Sequence, residues 1–286
     1  MNSTVNAYYT LTKPGIIKGN AVHVLAGALF ASIWMPNWFV IFAVLIGTSL
    51  VIASACVVNN YIDRDIDKKM ARTKKRASAT GQVGLRPAIA FAVVLLSGGM
   101  GVLGIFTNMY VVLLGALAYI LYAFVYTVLK PRTVHSTLIG AIPGALPVMA
   151  GYVAVAGEIT LGAVLLFILV VAWQMPHFYA ISLFRKKEYE AAQIPVLGVV
   201  KPFVTVRLYI LAYQALYVGA IGALIYTQAV TPASGMLLLG AAGLWLGVSF
   251  QSAKNEVSWA RLVFGVSLLL SLILLAASVL HMALAR

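Results

Sequence analysis

Residues 262–280 read LVFGVSLLLSLILLAASVL and carry no charge. As a helix they come close to the roughly 20 residues that cross a hydrocarbon core of about 30 Å. Residues 88–106 and 110–129 are built the same way, and the 286-residue chain is 62% hydrophobic with only 9% charged residues. A soluble domain has roughly a quarter of its residues charged, because its surface must be wetted. The fold class expected is therefore all-α: a polytopic membrane bundle forming one domain over 1–286. No linker or low-complexity stretch marks a second domain.

Working outward from that segment, nine spans are expected, at about 16–35, 38–60, 87–106, 110–129, 136–156, 160–182, 203–226, 233–252 and 262–281. The basic residues then alternate sharply between connections. Lys13 and Lys18 precede or open the first span. Arg64, Lys68, Lys69, Arg72, Lys74, Lys75, Arg76 and Arg86 sit between spans two and three, and Lys130 and Arg132 between four and five. Arg185, Lys186, Lys187, Lys201 and Arg207 flank the connection from six to seven, and Lys254 and Arg261 that from eight to nine. Of the 20 Lys and Arg, only Arg286 falls elsewhere. The opposite connections, 36–37, 107–108, 157–158 and 227–232, are short and carry no base. Basic loops are retained on the cytoplasmic side, so a cytoplasmic N-terminus and a periplasmic C-terminus are expected.

This distribution accounts for the net charge of +13 without nucleic acid, which is not an expected partner. No cleavable signal peptide is expected, because residues 1–20 are polar and lack a cleavage site after a short apolar core. The single cysteine, Cys56, lies within an apolar run, which excludes an intrachain disulfide. It reads as a buried structural thiol.

Acid is scarce. The chain has seven acidic residues, and its aspartates, Asp63, Asp65 and Asp67, follow Asn59 and Asn60 at the end of span two. On a continuing helix Asn59, Asp63 and Asp67 fall at i, i+4 and i+8, on one face. Such a row of oxygens can hold Mg²⁺, which takes one or two carboxylates together with substrate phosphates. The same acids could instead pair with Arg64, Lys68 and Lys69 on a solvated helix end. The scarcity of acid elsewhere, and the run Arg72-Thr-Lys-Lys-Arg76 close behind, favour a metal–diphosphate site, which needs carboxylates for metal beside cations for phosphate.

Asn59-x-x-x-Asp63-x-x-x-Asp67 resembles the first aspartate-rich motif of the UbiA superfamily of intramembrane aromatic prenyltransferases, with Asn60 where many members have the motif's first Asp. The longer string Asn59 to Lys74 is similar to the haem O synthase branch. So are Thr12-Lys-Pro-Gly-Ile-Ile-x-Gly-Asn20, Tyr126-Thr-x-Leu-Lys130, Trp173-Gln-Met-Pro-His177-x-Tyr179-Ala180, Phe184-Arg185-x-Lys187-Glu188-Tyr189 and Ile194-Pro-Val-Leu197. The match covers nearly the whole chain, and nine spans fit the superfamily. Ala77 and Gly198 stand where that branch often has Pro. Other members carry a second aspartate motif near the end of span six. Here that place holds Pro176-His177-Phe178-Tyr179, with Glu188 and Glu190 further on, which leaves the number of Mg²⁺ ions open.

The resemblance implies a central cavity open to the cytoplasmic side, in a bacterial inner membrane. It implies transfer of a farnesyl group from farnesyl diphosphate to the vinyl group of haem B, with Mg²⁺ held by Asn59, Asp63 and Asp67. Asp63, Asp67 and His177 would be catalytic. Lys13, Asn60, Arg72, Arg76, Tyr126 and Lys130 would bind substrate, as would Tyr179, Arg185, Lys187 and Glu188. The implied partners are farnesyl diphosphate, haem B and membrane lipids, with contact to haem A synthase or terminal oxidase assembly.

Several groups admit two readings. Tyr119, Tyr122, Tyr126 and Lys130 form a stripe on span four. It could line an allylic cation through cation–π contact, or form an interfacial aromatic belt. His177 could ligate haem iron or take a proton, or serve as a packing group; an ionisable residue within a span favours function. His23 and His135 are weaker candidates, and His281 reads as interfacial. Some of the basic loop could bind anionic lipid, and haem propionates could use surplus cations. The nearest alternative is the same chemistry on a quinone precursor or another aromatic acceptor. A transporter or lipid-binding protein is disfavoured because the spans contain no acid. No Gly-rich phosphate loop, Ser-His-Asp arrangement or zinc spacing is present.

Overall fold

The computed structural model describes residues 3–285; Arg286, the twentieth basic residue, lies outside them, as do residues 1 and 2. Nine helices among the described residues are long and apolar enough to cross a bilayer. They are α1 (Pro14–Ala31), α2 (Trp38–Ile62), α3 (Leu85–Phe106), α4 (Met109–Leu129), α5 (Ser136–Ala156), α6 (Leu161–Phe184), α7 (Phe203–Tyr226), α8 (Pro232–Phe250) and α9 (Glu256–Leu284). All nine expected spans are present.

The helix ends have local causes. Asn37, Asn108 and Thr160 cap α2, α4 and α6 by accepting backbone N–H bonds at 3.3, 3.2 and 3.3 Å. α1 opens on Pro14, whose missing N–H costs nothing in a first turn. It stops at Ala31 rather than 35, where Ser32 Oγ donates to the Ala28 carbonyl at 2.8 Å and Trp34 takes φ 58°. α9 starts at Glu256 rather than 262, because Asn255 accepts the Ser258 N–H at 3.0 Å and the helix carries its first polar turns past the apolar run.

α1, α2, α4, α5, α6 and α9 surround a cavity, while α3 packs outside against α2, and α7 and α8 outside against α6 and α9. The seam between α1 and α5 is close. A methyl group at Gly27 would run into the Val148 carbonyl, and one at Gly151 into that of Val24. Without a hydrophobic drive between helices in lipid, such small-residue contact is a main source of helix association.

Three of the surrounding helices carry a helix-perturbing feature. α5 contains Pro143 and Pro147, α6 contains Pro176, and α4 passes through a π-turn at Leu121–Tyr126. Thr127 Oγ1 donates to the Tyr122 carbonyl at 2.8 Å, satisfying a group in that turn. π-Turns inside α-helices occur frequently at functional sites.

The two long basic connections are folded. That between α2 and α3 contains short helices Arg64–Asp67 and Ala77–Thr80, and that between α6 and α7 contains Lys186–Ala191 and Leu197–Val200. Met70 of the first packs with Ala192, Ile194 and Val196 of the second, joining them across one end of the bundle. An N-terminal helix, Ser3–Leu11, which the sequence reading leaves out, packs on Val57, Tyr61 and Val83.

Candidate active site

The cavity has a volume of about 820 Å³ and lies beneath the joined basic connections. Its polar head is built around the end of α2. The helix is interrupted at Asp63, yet the Asp63 N–H reaches the Asn59 carbonyl at 2.9 Å and the Asp67 N–H reaches that of Asp63 at 2.8 Å. The four-residue spacing is thereby kept, and Asn59, Asp63 and Asp67 all line the cavity. Asp65 points to solvent instead, with Lys68 Nζ at 2.9 Å and Arg64 Nε at 3.8 Å. The bond from Lys68 holds its carboxyl below the usual carboxylate range.

Each lining carboxylate is clamped by a cation from elsewhere in the chain. Lys130 Nζ, from the end of α4, is 2.6 Å from Asp63 Oδ2, and Arg76 is 2.8 Å from Asp67 Oδ2. Asn59 Nδ2 donates to Thr127 Oγ1 at 2.8 Å and to Asp63 Oδ2 at 3.2 Å. Its Oδ1 accepts from Lys13 Nζ. The π-turn thus sets Thr127, Thr127 sets Asn59, and the amide is oriented with its oxygen toward the cations. Lys13 has a left-handed backbone at φ 52°, a conformation rarely held by a residue with a side chain unless its surroundings impose it. Burial, above all, with the Arg76 and Lys130 charges, brings its ammonium down to about 8. With Arg72 added, the head is net positive, which suits a polyanion.

The donor set fits a hard divalent cation. Asp63 Oδ1 is buried and has no hydrogen-bond partner among the described residues. It stands beside Asn59 and on the same face as Asp67. Carboxylate and amide oxygens with remaining positions for phosphate are what Mg²⁺ takes.

Beyond the head the walls are apolar and aromatic. Val51, Ile52, Ala55 and Cys56 of α2 face Tyr119, Tyr122 and Tyr126 of α4. The Tyr122 and Tyr126 rings stack at 5.5 Å. On the other side, Trp173 stacks on His177 at 5.2 Å, the Phe264 ring lies 4.7 Å from His177, and His23 meets the Trp173 face edge-on at 5.0 Å. Ser267 of α9 fixes this group. Its carbonyl accepts from Trp173 Nε1 at 2.7 Å, and its hydroxyl donates to the Phe264 carbonyl at 2.6 Å. The hydroxyl's proton being so committed, it accepts from His177 Nδ1 at 2.8 Å. The neutral ring then carries its proton on Nδ1 and leaves the Nε2 lone pair free for a ligand.

Lys13, Asn59, Asp63, Asp67, Arg72, Arg76, Tyr126, Lys130, His177 and Arg185 all line this one cavity. Four other candidates lie outside it. Asn60 is buried behind the head, donating to the Leu11 carbonyl at 2.7 Å and accepting from Arg76 at 3.2 Å. It positions two cation-bearing segments rather than facing a ligand. Tyr179 follows His177 by two residues, so the helix turns it away, toward Tyr209 and Tyr213 of α7, each at 6.1 Å. Lys187 and Glu188 belong to an outer groove beside Lys201 and Glu256, where Glu188 pairs with Arg185 at 3.0 Å. Asn20, Gln174, Tyr189 and Arg261 also line the cavity, and the sequence reading gave none of them a role there. The spacing Arg261, Phe264, Leu268, Ser271 on α9 carries the signal for the last of these.

The profile of the UbiA prenyltransferase family matches residues 20–283. Protoheme IX farnesyltransferase 1 of Shewanella frigidimarina is 40% identical over 274 residues, covering 94% of this chain and 90% of that protein. Protoheme IX farnesyltransferase 2 of Shewanella woodyi is 40% identical over 263 residues, covering 90% and 91%. Among solved structures, a digeranylgeranylglyceryl phosphate synthase structure superposes with a TM-score of 0.80 at 16% identity, covering 98% of each chain. A UbiA homologue from Archaeoglobus fulgidus bound to GPP and Mg²⁺ gives 0.74 at 14% identity, covering 97% of this chain and all of that one. At these identities the two structures are likenesses of fold.

Proposed function

Because the chain belongs to the UbiA prenyltransferase family, we propose that it transfers a farnesyl group from farnesyl diphosphate to the vinyl group of haem B, giving haem O and diphosphate. The carrying observation is the pair of buried, cation-clamped carboxylates, Asp63 and Asp67, at the head of an aromatic cavity whose far wall holds His177. Likeness to protoheme IX farnesyltransferases at 40% identity supports haem as the acceptor.

Asn59 Oδ1, Asp63 and Asp67 would hold Mg²⁺. The ion supplies charge neutralisation of the leaving diphosphate. The diphosphate draws Lys130, Arg76 and Lys13 from their present partners onto its oxygens, with Arg72 beside them. That exchange keeps each charge paired throughout. The farnesyl C1–O bond breaks, and the electron pair leaves with the diphosphate. Tyr122 and Tyr126 present ring faces to the allylic cation, and the apolar walls delay its capture by water. The terminal vinyl carbon of haem donates its π pair to C1, leaving a cation next to the macrocycle. Water then adds there and loses a proton, giving the hydroxyethylfarnesyl group. His177, with its free Nε2, faces the haem iron or accepts that proton.

The basic connections gathered at one end support a cytoplasmic N-terminus and a cavity mouth on the cytoplasmic face of a bacterial inner membrane. One intramembrane domain over 1–286 carries the activity. Contact with haem A synthase or terminal oxidase assembly would pass the product on.

The test is incubation of purified protein with haem B, labelled farnesyl diphosphate and Mg²⁺. Label should appear in a haem with a hydroxyethylfarnesyl side chain, and chelation of the metal should stop it. Label transfer to a quinone precursor but not to haem would replace the acceptor and keep the family.

A further inference from the structure

From Arg261, we infer that this enzyme recognises its acceptor by a carboxylate. The inference rests on haem being the acceptor and names the contact that selects it. Of the cations lining the cavity, Lys13, Arg76, Lys130 and Arg185 engage Asn59, Asp67, Asp63 and Glu188. Arg72 and Arg261 have no hydrogen-bond or ion-pair partner among the described residues. Arg72 belongs to the metal end, close to Tyr126. Arg261 stands on α9, on the opposite wall, where no carboxylate lines the cavity.

Its neighbours define what it meets. Arg261, Phe264, Leu268 and Ser271 form one stripe of α9 along the cavity. Ser267, on the same helix, holds both Trp173 and His177. Arg261 lies six residues, about 9 Å along the helix axis, from the serine that holds the imidazole. That separation is comparable with the reach from the centre of a porphyrin to the end of a propionate arm. The neighbouring α1 leaves room beside this stripe: methyl groups added at Gly15 and Gly19 would meet nothing within 4 Å, and both residues line the cavity. A slot between aromatic rings and exposed helix backbone admits a flat macrocycle. With Nε2 of His177 at its centre, Arg261 at the mouth meets an acidic edge. A guanidinium is suited to this task, because it offers two parallel N–H donors to one carboxylate.

Arg261 lines the cavity rather than a loop surface, so a contact with an acceptor carboxylate can be told from a contact with lipid headgroups. Haem B and its propionate dimethyl ester are titrated into the wild type, Arg261→Gln and Arg261→Lys, with absorbance as readout. Farnesyl diphosphate binding with Mg²⁺ is measured alongside. Arg261→Gln should weaken haem binding by roughly 10- to 100-fold, the scale of one charge-assisted hydrogen bond. It should leave the diphosphate affinity unchanged. The ester should bind the wild type about as weakly as haem binds Arg261→Gln, and the substitution should cost it nothing further. Arg261→Lys should recover part of the loss.

Equal losses for haem and ester would mean that the arginine acts on something other than the carboxylate, such as lipid or the fold, and would overturn the inference. So would unchanged haem binding by Arg261→Gln. If the wild type bound no haem and farnesylated another acceptor, the acceptor assignment itself would fall.

Discussion

Replacing Lys130 by Met leaves the Asp63 carboxylate buried with only the Asn59 amide as a partner. The ion pair is short, 2.6 Å, with the Asp63 side chain 2% and the Lys130 side chain 16% exposed. Removing one member of a buried pair costs about 3–5 kcal/mol, because the survivor is an uncompensated charge. The retained Asn59 bond and the partial exposure of Lys130 put this case near the lower end, about 3 kcal/mol. The second substitution, Asp63→Asn, takes away the stranded charge. The double variant should therefore be more stable than Lys130→Met alone, with a coupling of about 2 kcal/mol between the two positions. Denaturation of the purified protein in mixed micelles without Mg²⁺ reads these differences directly. Mg²⁺ should restore stability to Lys130→Met more than to the double variant, since the ion supplies the lost positive charge only where the carboxylate remains. A Lys130→Met protein as stable as the wild type, or losses that simply add, would show that the pair does not hold the site together.

Three further outcomes follow from the same geometry. Asp63→Asn and Asp67→Asn should each lower farnesyl transfer by about 10²-fold or more, the scale of one preorganised contact to developing charge. Asp65→Asn should retain activity, since its carboxylate faces solvent and Lys68; equal tolerance of all three would return the cluster to surface pairing. His177→Ala should weaken haem binding and change the haem spectrum while sparing diphosphate binding, and an unchanged spectrum with retained activity would make the ring a packing group. Reporters fused after residues 80 and 190 should read cytoplasm, and those near 37 and 108 the far side; a periplasmic signal at 80 would invert the orientation.

The nine spans are legible because apolar length is a one-dimensional quantity, and so is the charge alternation between connections. The row Asn59, Asp63, Asp67 is equally local, since helical spacing alone brings it to one face. What the sequence conceals is non-local. Nothing in the spacing says that Lys130 reaches Asp63 or that Arg76 folds back to Asp67, because both depend on how α4 and the basic connection meet α2. Asn60 and Tyr179 belong to strings that carry the resemblance, yet the fold turns one toward the N-terminal segment and the other toward α7. Arg261 was hidden for the opposite reason: it counts as one more positive loop residue until α9 is seen to begin at Glu256.

The π-turn of α4 has a bearing on how relatives should be compared. A π-turn is a regular helix that has taken in one extra residue, so Leu121–Tyr126 occupies the axial length of a shorter α-helical stretch. Deleting one residue there, Val125 for example, would regularise the helix and leave Lys130 near Asp63, because the π-turn absorbs its extra residue within one turn. A family member lacking the insertion would place its lysine in the same spot in space with a column of the alignment missing. Residue correspondences on the far side of this segment are therefore anchored by the lysine that meets the carboxylate, not by counting forward from Tyr119.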